Sequence, residues 1–358
     1  MIKLFNPDVG SEEIEAVKNV LLSRFWASGA GSGKVKEFEN RFQEYIGSDD
    51  CVAVNSGTAA LHLAIALYDV RGRDILVPSL TFVSTVHSII YNHGKRLFVD
   101  VDPITLCMDV EDLKEKVSSR AIAILPVHFG GYPCDIKTIQ EIAEDHKLHV
   151  VEDAAHACGS TYNGKKIGSL TEACCFSFHP VKNLAMPGGG AITLNGPDLG
   201  IKRKILASKR WCGIDERQRW YYDVPRLGWN YYMNELSAAI GLVQLAKLDK
   251  MNEKRRKIAN LYSRDLNVKH KMPFSEDCCY HLYWIRVKDR DYFTDKMIKA
   301  GIEVGLHYKP VHLMTLYNSS GKLPNTEEIW RELVTLPMHT NLSDAEVTYI
   351  IEKTNEFQ

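Results

Sequence analysis

The sequence predicts an α/β protein, built on a mainly parallel sheet between helices, with a smaller α+β domain toward the C-terminal end. Three observations carry this expectation. Short, β-rich apolar runs alternate with helical patterns over the first two thirds of the chain, as a parallel sheet covered on both faces requires. After residue 200 the texture changes to an aromatic and basic stretch, RWCGIDERQRWYYDVPRLGWNYYMN, and from about 260 strands and helices are mixed. The 358 residues, 45% of them apolar and 25% charged, are enough for two or three domains and a sizeable core without disulfides or metals.

The strands are expected at CVAVN (51–55), DILVPS (74–79), RLFVDV (96–101), AIAILPV (121–127) and LHVVED (148–153), with helices such as 58–68 and 136–146 between them. Each run is continuously apolar and does not alternate, which is the pattern of a strand buried on both faces. A further apolar strand ends near Phe176, and the glycine-rich turn at 187–190 leads into another. A helix is predicted from about 235 to 248, continuing as the charged run KMNEKRRK, read as a solvated face. The expected division is a large domain over 1–245 and a small one over 246–358, with the N-terminal segment packed on the small domain. A sheet of this kind places its ligand at the carboxyl ends of its strands.

Charge narrows the function classes. The 44 Lys plus Arg balance 45 Asp plus Glu to a net charge of −1, which argues against a nucleic-acid-coating surface and against disorder. The nine cysteines form no C-x-x-C, so reduced thiols are expected and no metal centre. The N-terminal run MIKLFNPDVGSEE lacks the basic flank and apolar core of a signal peptide, and no apolar run approaches the roughly 20 residues that span a bilayer. A cytoplasmic, soluble protein without a membrane partner is the expectation.

Three constellations point to chemistry. Val54-Asn55-Ser56-Gly57-Thr58-Ala59 runs out of a strand directly into an apolar helix, so free backbone donors and the helix dipole favour a phosphate there. Capping by Ser56 or Thr58 would explain the same residues. Asp153 closes a buried strand and is followed by Ala154, Ala155 and His156. A buried carboxylate needs a cationic or hydrogen-bonded partner; a protonated ring nitrogen would serve, as would a structural ion pair or a helix cap. Lys182, in Phe178-His179-Pro180-Val181-Lys182-Asn183, lies between an apolar strand and the glycine-rich turn, where burial depresses an amine's pKa toward the neutral form that Schiff-base chemistry uses.

The stretches NSGTAAL, VPSLTFVST, PVHFGG, VEDAAHACG, FSFHPVKNL, GWNYYMNELSAAIGLVQL, HYKPVH and LVTLPMH follow one another over about residues 7–350. Together they resemble the DegT/StrS-type sugar aminotransferases, of the fold-type-I, aspartate aminotransferase-like superfamily. The resemblance implies a seven-stranded-type sheet and pyridoxal 5′-phosphate, with Lys182 holding the cofactor covalently and moving protons, and Asp153 facing the pyridine nitrogen. It implies a phosphate grip by Gly57, Thr58 and Ser177, with Asn230 reaching in from the other chain of a homodimer. Phe82 would stack on the ring, His156 would bond its phenolic oxygen, and His307 and Tyr308 would contact the substrate. The implied reaction takes an amino group from L-glutamate to a keto-deoxy sugar carried on a nucleoside diphosphate, for amino-sugar or polysaccharide biosynthesis.

Departures from the family pattern fall beside the chemistry. Pro187 and Gly188 replace the usual glycine and acidic residue, Trp229 and Tyr232 replace a tyrosine and an arginine, and His156 stands where glutamine is frequent. Relatives that dehydrate the sugar carry a histidine at the lysine position, and a non-catalytic regulator would lose Lys182 or Asp153; both are present. An aminotransferase acting on a cyclitol or another ketone without a nucleotide stays open. Arg203, Lys209, Arg210, Arg217, Arg219 and Arg226 are candidates to meet a diphosphate, or form a solvated basic surface.

Overall fold

The computed structural model describes residues 1–317 and 321–358. Its centre is a seven-stranded sheet of β1 (Asp50–Val54), β2 (Asp74–Pro78), β3 (Lys95–Val99), β4 (Ala121–Ile124), β5 (His149–Asp153), β8 (Ala173–Ser177) and β9 (Gly190–Leu194), in the order β1-β9-β8-β5-β4-β2-β3. Two short strands between β5 and β8, β6 (Thr161–Tyr162) and β7 (Lys165–Lys166), form a separate hairpin. Six strands of the large sheet share one direction, and β9 runs against both its neighbours. Each expected strand is present, its ends no more than three residues from those predicted. Strands β2 and β9 are buried along their whole length, so their apolar runs serve helices on both faces.

The helix expected at 58–68 is Gly57–Ile65, and all its residues but Thr58 are buried. An all-round apolar helix lies in a core and not at a surface. Ser56 caps it, its hydroxyl accepting from the Ala59 N–H at 3.1 Å, and the helix therefore starts where the sequence turns from polar to apolar. On the opposite face, Val35, Phe38, Phe42 and Ile46 of the helix Lys34–Ile46 pack on Phe176 and Phe178. The helix Ile136–His146 has the bounds the pattern predicts, with Asp135 as its cap.

A second hairpin pairs β10 (Asp215–Gln218) with β11 (Tyr221–Asp223) and carries the exposed rings of Tyr221 and Tyr222. The helix that follows is one continuous element, Glu235–Asp265, so the expected 245/246 boundary falls inside it. The charged run KMNEKRRK is not wholly a solvated face. Met251 and Asn252, with Arg255 four and three residues further on, turn inward and are buried. Beyond this helix, β12 (His270–Lys271), β13 (Tyr283–Arg286) and β14 (Leu333–Leu336) form a small antiparallel sheet. The N-terminal segment runs against this part of the chain: Ile2 bridges Ile302, and the Leu4 N–H donates to Glu303 at 3.0 Å. Among the described residues no helix is long and apolar enough to cross a membrane.

Candidate active site

A cavity of about 380 Å³ opens at the carboxyl ends of β1, β2, β4, β5 and β8. It gathers Gly57, Thr58, Phe82, Asp153, His156, Ser177, Lys182, His307 and Tyr308, nine of the ten predicted site residues, from across the chain. The tenth, Asn230, is exposed and does not line it. The Asn230 backbone carbonyl accepts from the Asn55 side chain at 3.2 Å, which holds the segment beside the cavity mouth.

One part of the cavity lining carries the donors an anion would need. The amides of Gly57 and Thr58 belong to the first helical turn, where helix geometry supplies no acceptor for them. Close approach makes the turn possible. A Cβ on Gly57 would stand 2.6 Å from Ser177 Cβ, and one on Gly190 would stand 2.5 Å from the Ser56 carbonyl carbon. Ser56 is spent on its cap, which leaves the Thr58 and Ser177 side chains to line this part.

Another part is a buried carboxylate. Asp153 is 4% exposed; its Oδ2 accepts from the Thr85 hydroxyl at 2.7 Å and its Oδ1 from the Ala155 N–H at 3.0 Å. Burial raises its pKa above the ordinary carboxylate value, against the pull of those two bonds and of the Lys182 and His128 charges. A cationic ring nitrogen is the partner that such a carboxylate lacks. Phe82, at the start of the helix Val83–Tyr91, is 53% exposed and tilts toward Tyr308 with ring centroids 5.7 Å apart.

Lys182 lines the same cavity, and burial pulls its amine down to about 8 while Asp153 opposes the fall. His156 accepts the Gly130 N–H at Nδ1, 3.2 Å, so its proton is on Nε2, which faces the Tyr308 hydroxyl at 3.1 Å. Burial, with the Lys182 and His307 charges, keeps His156 neutral by lowering its pKa far below the usual value. His307 bonds Thr335 Oγ1 at 2.7 Å and is lowered to about 4 by burial, with Lys182 adding to the fall; Tyr308 is raised by burial.

Three residues in or against this site were not singled out by spacing. Thr85 steadies Asp153 from the neighbouring helix, Phe5 arrives from the N-terminal segment, and His281 stands 3.3 Å from the Lys182 amine. PVHFGG supplies the hinge for two of the histidines: the Gly130 N–H serves His156, and its carbonyl accepts from the His281 N–H at 2.9 Å. Two of the proposed diphosphate contacts are corrected. Arg210 is buried against Glu39 at 2.6 Å, and Arg203 is held by Glu39 at 2.8 Å and by Asp50, so both are spent within the fold.

Residues 7–355 match the DegT/DnrJ/EryC1/StrS aminotransferase family. The chain belongs to that family. It is a pyridoxal 5′-phosphate-dependent aminotransferase of fold type I. The aminotransferase is 34% identical to the spore coat polysaccharide biosynthesis protein SpsC of Bacillus subtilis, over 98% of this chain and 95% of that one. It is 33% identical to the GDP-perosamine synthase of Escherichia coli, over 99% and 98% of the two chains. Its fold superposes on a putative sugar aminotransferase from Streptococcus pneumoniae, solved in its PLP form, with a TM-score of 0.94 at 29% identity, covering 99% and 98% of the chains. The donor set fits the cofactor, with amides and hydroxyls for a phosphate, a carboxylate that can take a cation, and an amine whose pKa burial lowers.

Proposed function

We propose that this enzyme moves an amino group from L-glutamate to a keto-deoxy sugar carried on a nucleoside diphosphate, as a homodimer with shared sites. The observation that carries the reading is the meeting of Lys182, Asp153 and His156 in one cavity, with the lysine amine lowered by burial to about 8. When bound, pyridoxal 5′-phosphate supplies an electron sink for the negative charge that develops at the substrate carbon.

The rest of the work falls to the chain. Gly57, Thr58 and Ser177 would hold the phosphate, Asp153 would keep the ring nitrogen protonated, and Phe82 would cover the ring. His156, whose Nε2–H faces the Tyr308 hydroxyl at 3.1 Å, would turn that proton to the phenolic oxygen. Lys182 would anchor the cofactor and then, as a free amine, its Nζ would take the proton from the donor's α-carbon and hold it for return. His307 and Tyr308 line the substrate end. The names of the Bacillus and Escherichia relatives support a sugar acceptor for this chain.

A second chain would complete the site through Asn230, whose side chain amide would donate to the phosphate of its neighbour. Trp220, 81% exposed, with exposed Tyr221, Tyr222 and Leu227, offers the apolar surface such a contact would cover. The division into a cofactor domain over 1–245 and a small domain over 246–358 is kept as part of this reading. The direct test is release of 2-oxoglutarate from glutamate against a panel of keto sugars on different nucleotides. Turnover with a nucleotide-linked keto sugar is expected; turnover only with free cyclitol ketones would refute the acceptor class.

A further inference from the structure

Among the described residues, Nε2 of His281 is the one side-chain acceptor within hydrogen-bond distance of the Lys182 amine, at 3.3 Å. His281 is 2% exposed and lies two residues before β13 of the small sheet, 99 residues from Lys182. Its backbone N–H is fixed on the Gly130 carbonyl, its ring stacks on Phe5 with centroids 5.6 Å apart at 16°, and the His156 ring lies 4.5 Å away. The imidazole is thus held from three directions with one edge toward the lysine.

We infer that His281 is a positioning residue for Lys182, its Nε2 lone pair receiving an N–H of the lysine ammonium that forms when the amine takes a proton from the substrate carbon. The proton passes from carbon to Nζ and leaves from Nζ; His281 neither gains nor loses one. An ammonium has no lone pair, so the bond requires Nε2 to be the acceptor and the ring proton to sit on Nδ1. A neutral ring meets that demand. Burial, with the Lys182, His156, His307 and Arg255 charges, drives the His281 pKa far below the usual value.

Among the described residues no other polar side chain around the amine lies within hydrogen-bond distance of it: Asp153 accepts from Thr85 and Ala155, Nδ1 of His156 accepts from Gly130 while its Nε2 faces Tyr308, and Nδ1 of His307 is bonded to Thr335. Asp153 contributes its charge to the ammonium, while His281 contributes direction. A buried ammonium that lost this acceptor would be both less favoured and less well aimed.

The inference rests on Lys182 being the cofactor lysine, which reductive trapping tests separately. The first readout uses apoprotein: competitive acetylation across pH, with peptide mass spectrometry, gives the pH of half-labelling at Lys182. In His281→Phe that midpoint is expected to fall by about one pH unit, the worth of one charge-assisted hydrogen bond. In holoenzyme, kcat is expected to fall about ten- to a hundredfold, part of the usual proton-transfer contribution, with cofactor content and donor KM nearly unchanged. His281→Gln, which puts an amide oxygen near the Nε2 position, should recover most of both. An unchanged midpoint and kcat in folded His281→Phe, or a Gln variant no better than Phe, would overturn the inference. Should His281→Phe fail to fold, ¹⁵N NMR of the wild-type apoprotein decides. The Nδ1–H tautomer is expected where Lys182 is charged, and the Nε2–H tautomer there would refute the assignment.

Discussion

Replacing Asp153 by Asn removes one charge and little else. The Ala155 N–H can still donate to the amide oxygen at the 3.0 Å position. Thr85 lies 2.8 Å from Thr81 Oγ1 as well, so its hydroxyl can turn toward Thr81 and accept from the new NH₂. The fold and the phosphate cradle are therefore expected to survive with cofactor bound. Opposite unit charges about 4 Å apart at an effective dielectric near 20 attract by about 4 kcal/mol, and each 1.36 kcal/mol is a factor of about ten in rate. The residual hydrogen bond offsets part of that, so the half-reaction with glutamate should slow by about a hundred- to a thousandfold. Stopped-flow absorbance of cofactor-saturated protein mixed with glutamate measures it. A rate within threefold of wild type would show that Asp153 does not control the ring nitrogen.

Three further outcomes follow from the same geometry. Gly57→Ala drives a methyl to 2.6 Å from Ser177 Cβ; overpacking of about 1–3 kcal/mol should weaken cofactor binding about tenfold or more, measured by titrating apoprotein, and unchanged affinity would remove the close-approach argument. Glu39→Gln strips Arg210 of its buried partner at 2.6 Å, so denaturant unfolding should show a loss of about 3–5 kcal/mol; an unmoved midpoint would mean Arg210 finds compensation elsewhere. Mixing inactive Lys182→Ala chains with inactive Asn230→Asp chains should restore activity, because each mixed dimer holds one site with both native residues; no recovery after verified subunit exchange would exclude the cross-subunit role of Asn230.

The strands were legible because each is a short apolar run ended by a polar or glycine-rich turn, and Asp153 and Lys182 were legible because they close or follow such runs. The length of Glu235–Asp265 was not, since its exposed charges mask the inward face of Met251, Asn252 and Arg255. Nothing local in YHLYWIRV ties His281 to a lysine 99 residues away; the link is tertiary, through the Asn183 side chain, which donates to the Cys279 carbonyl, and through the Gly130 peptide, which serves both His156 and His281. Phe5 likewise enters through the pairing of residues 2–4 with Ile302 and Glu303, a long-range contact without a periodic signature. Arg203 and Arg210 read as basic surface until the buried Glu39 shows where their charges go.

The central claim is that Lys182 carries the cofactor. Borohydride reduction of the holoenzyme, followed by proteolysis and mass spectrometry, fixes the cofactor to whichever lysine holds it. The account predicts the reduced adduct on the peptide containing Phe178-His179-Pro180-Val181-Lys182, with none in Lys182→Ala. An adduct on any other lysine of the wild-type chain would contradict it.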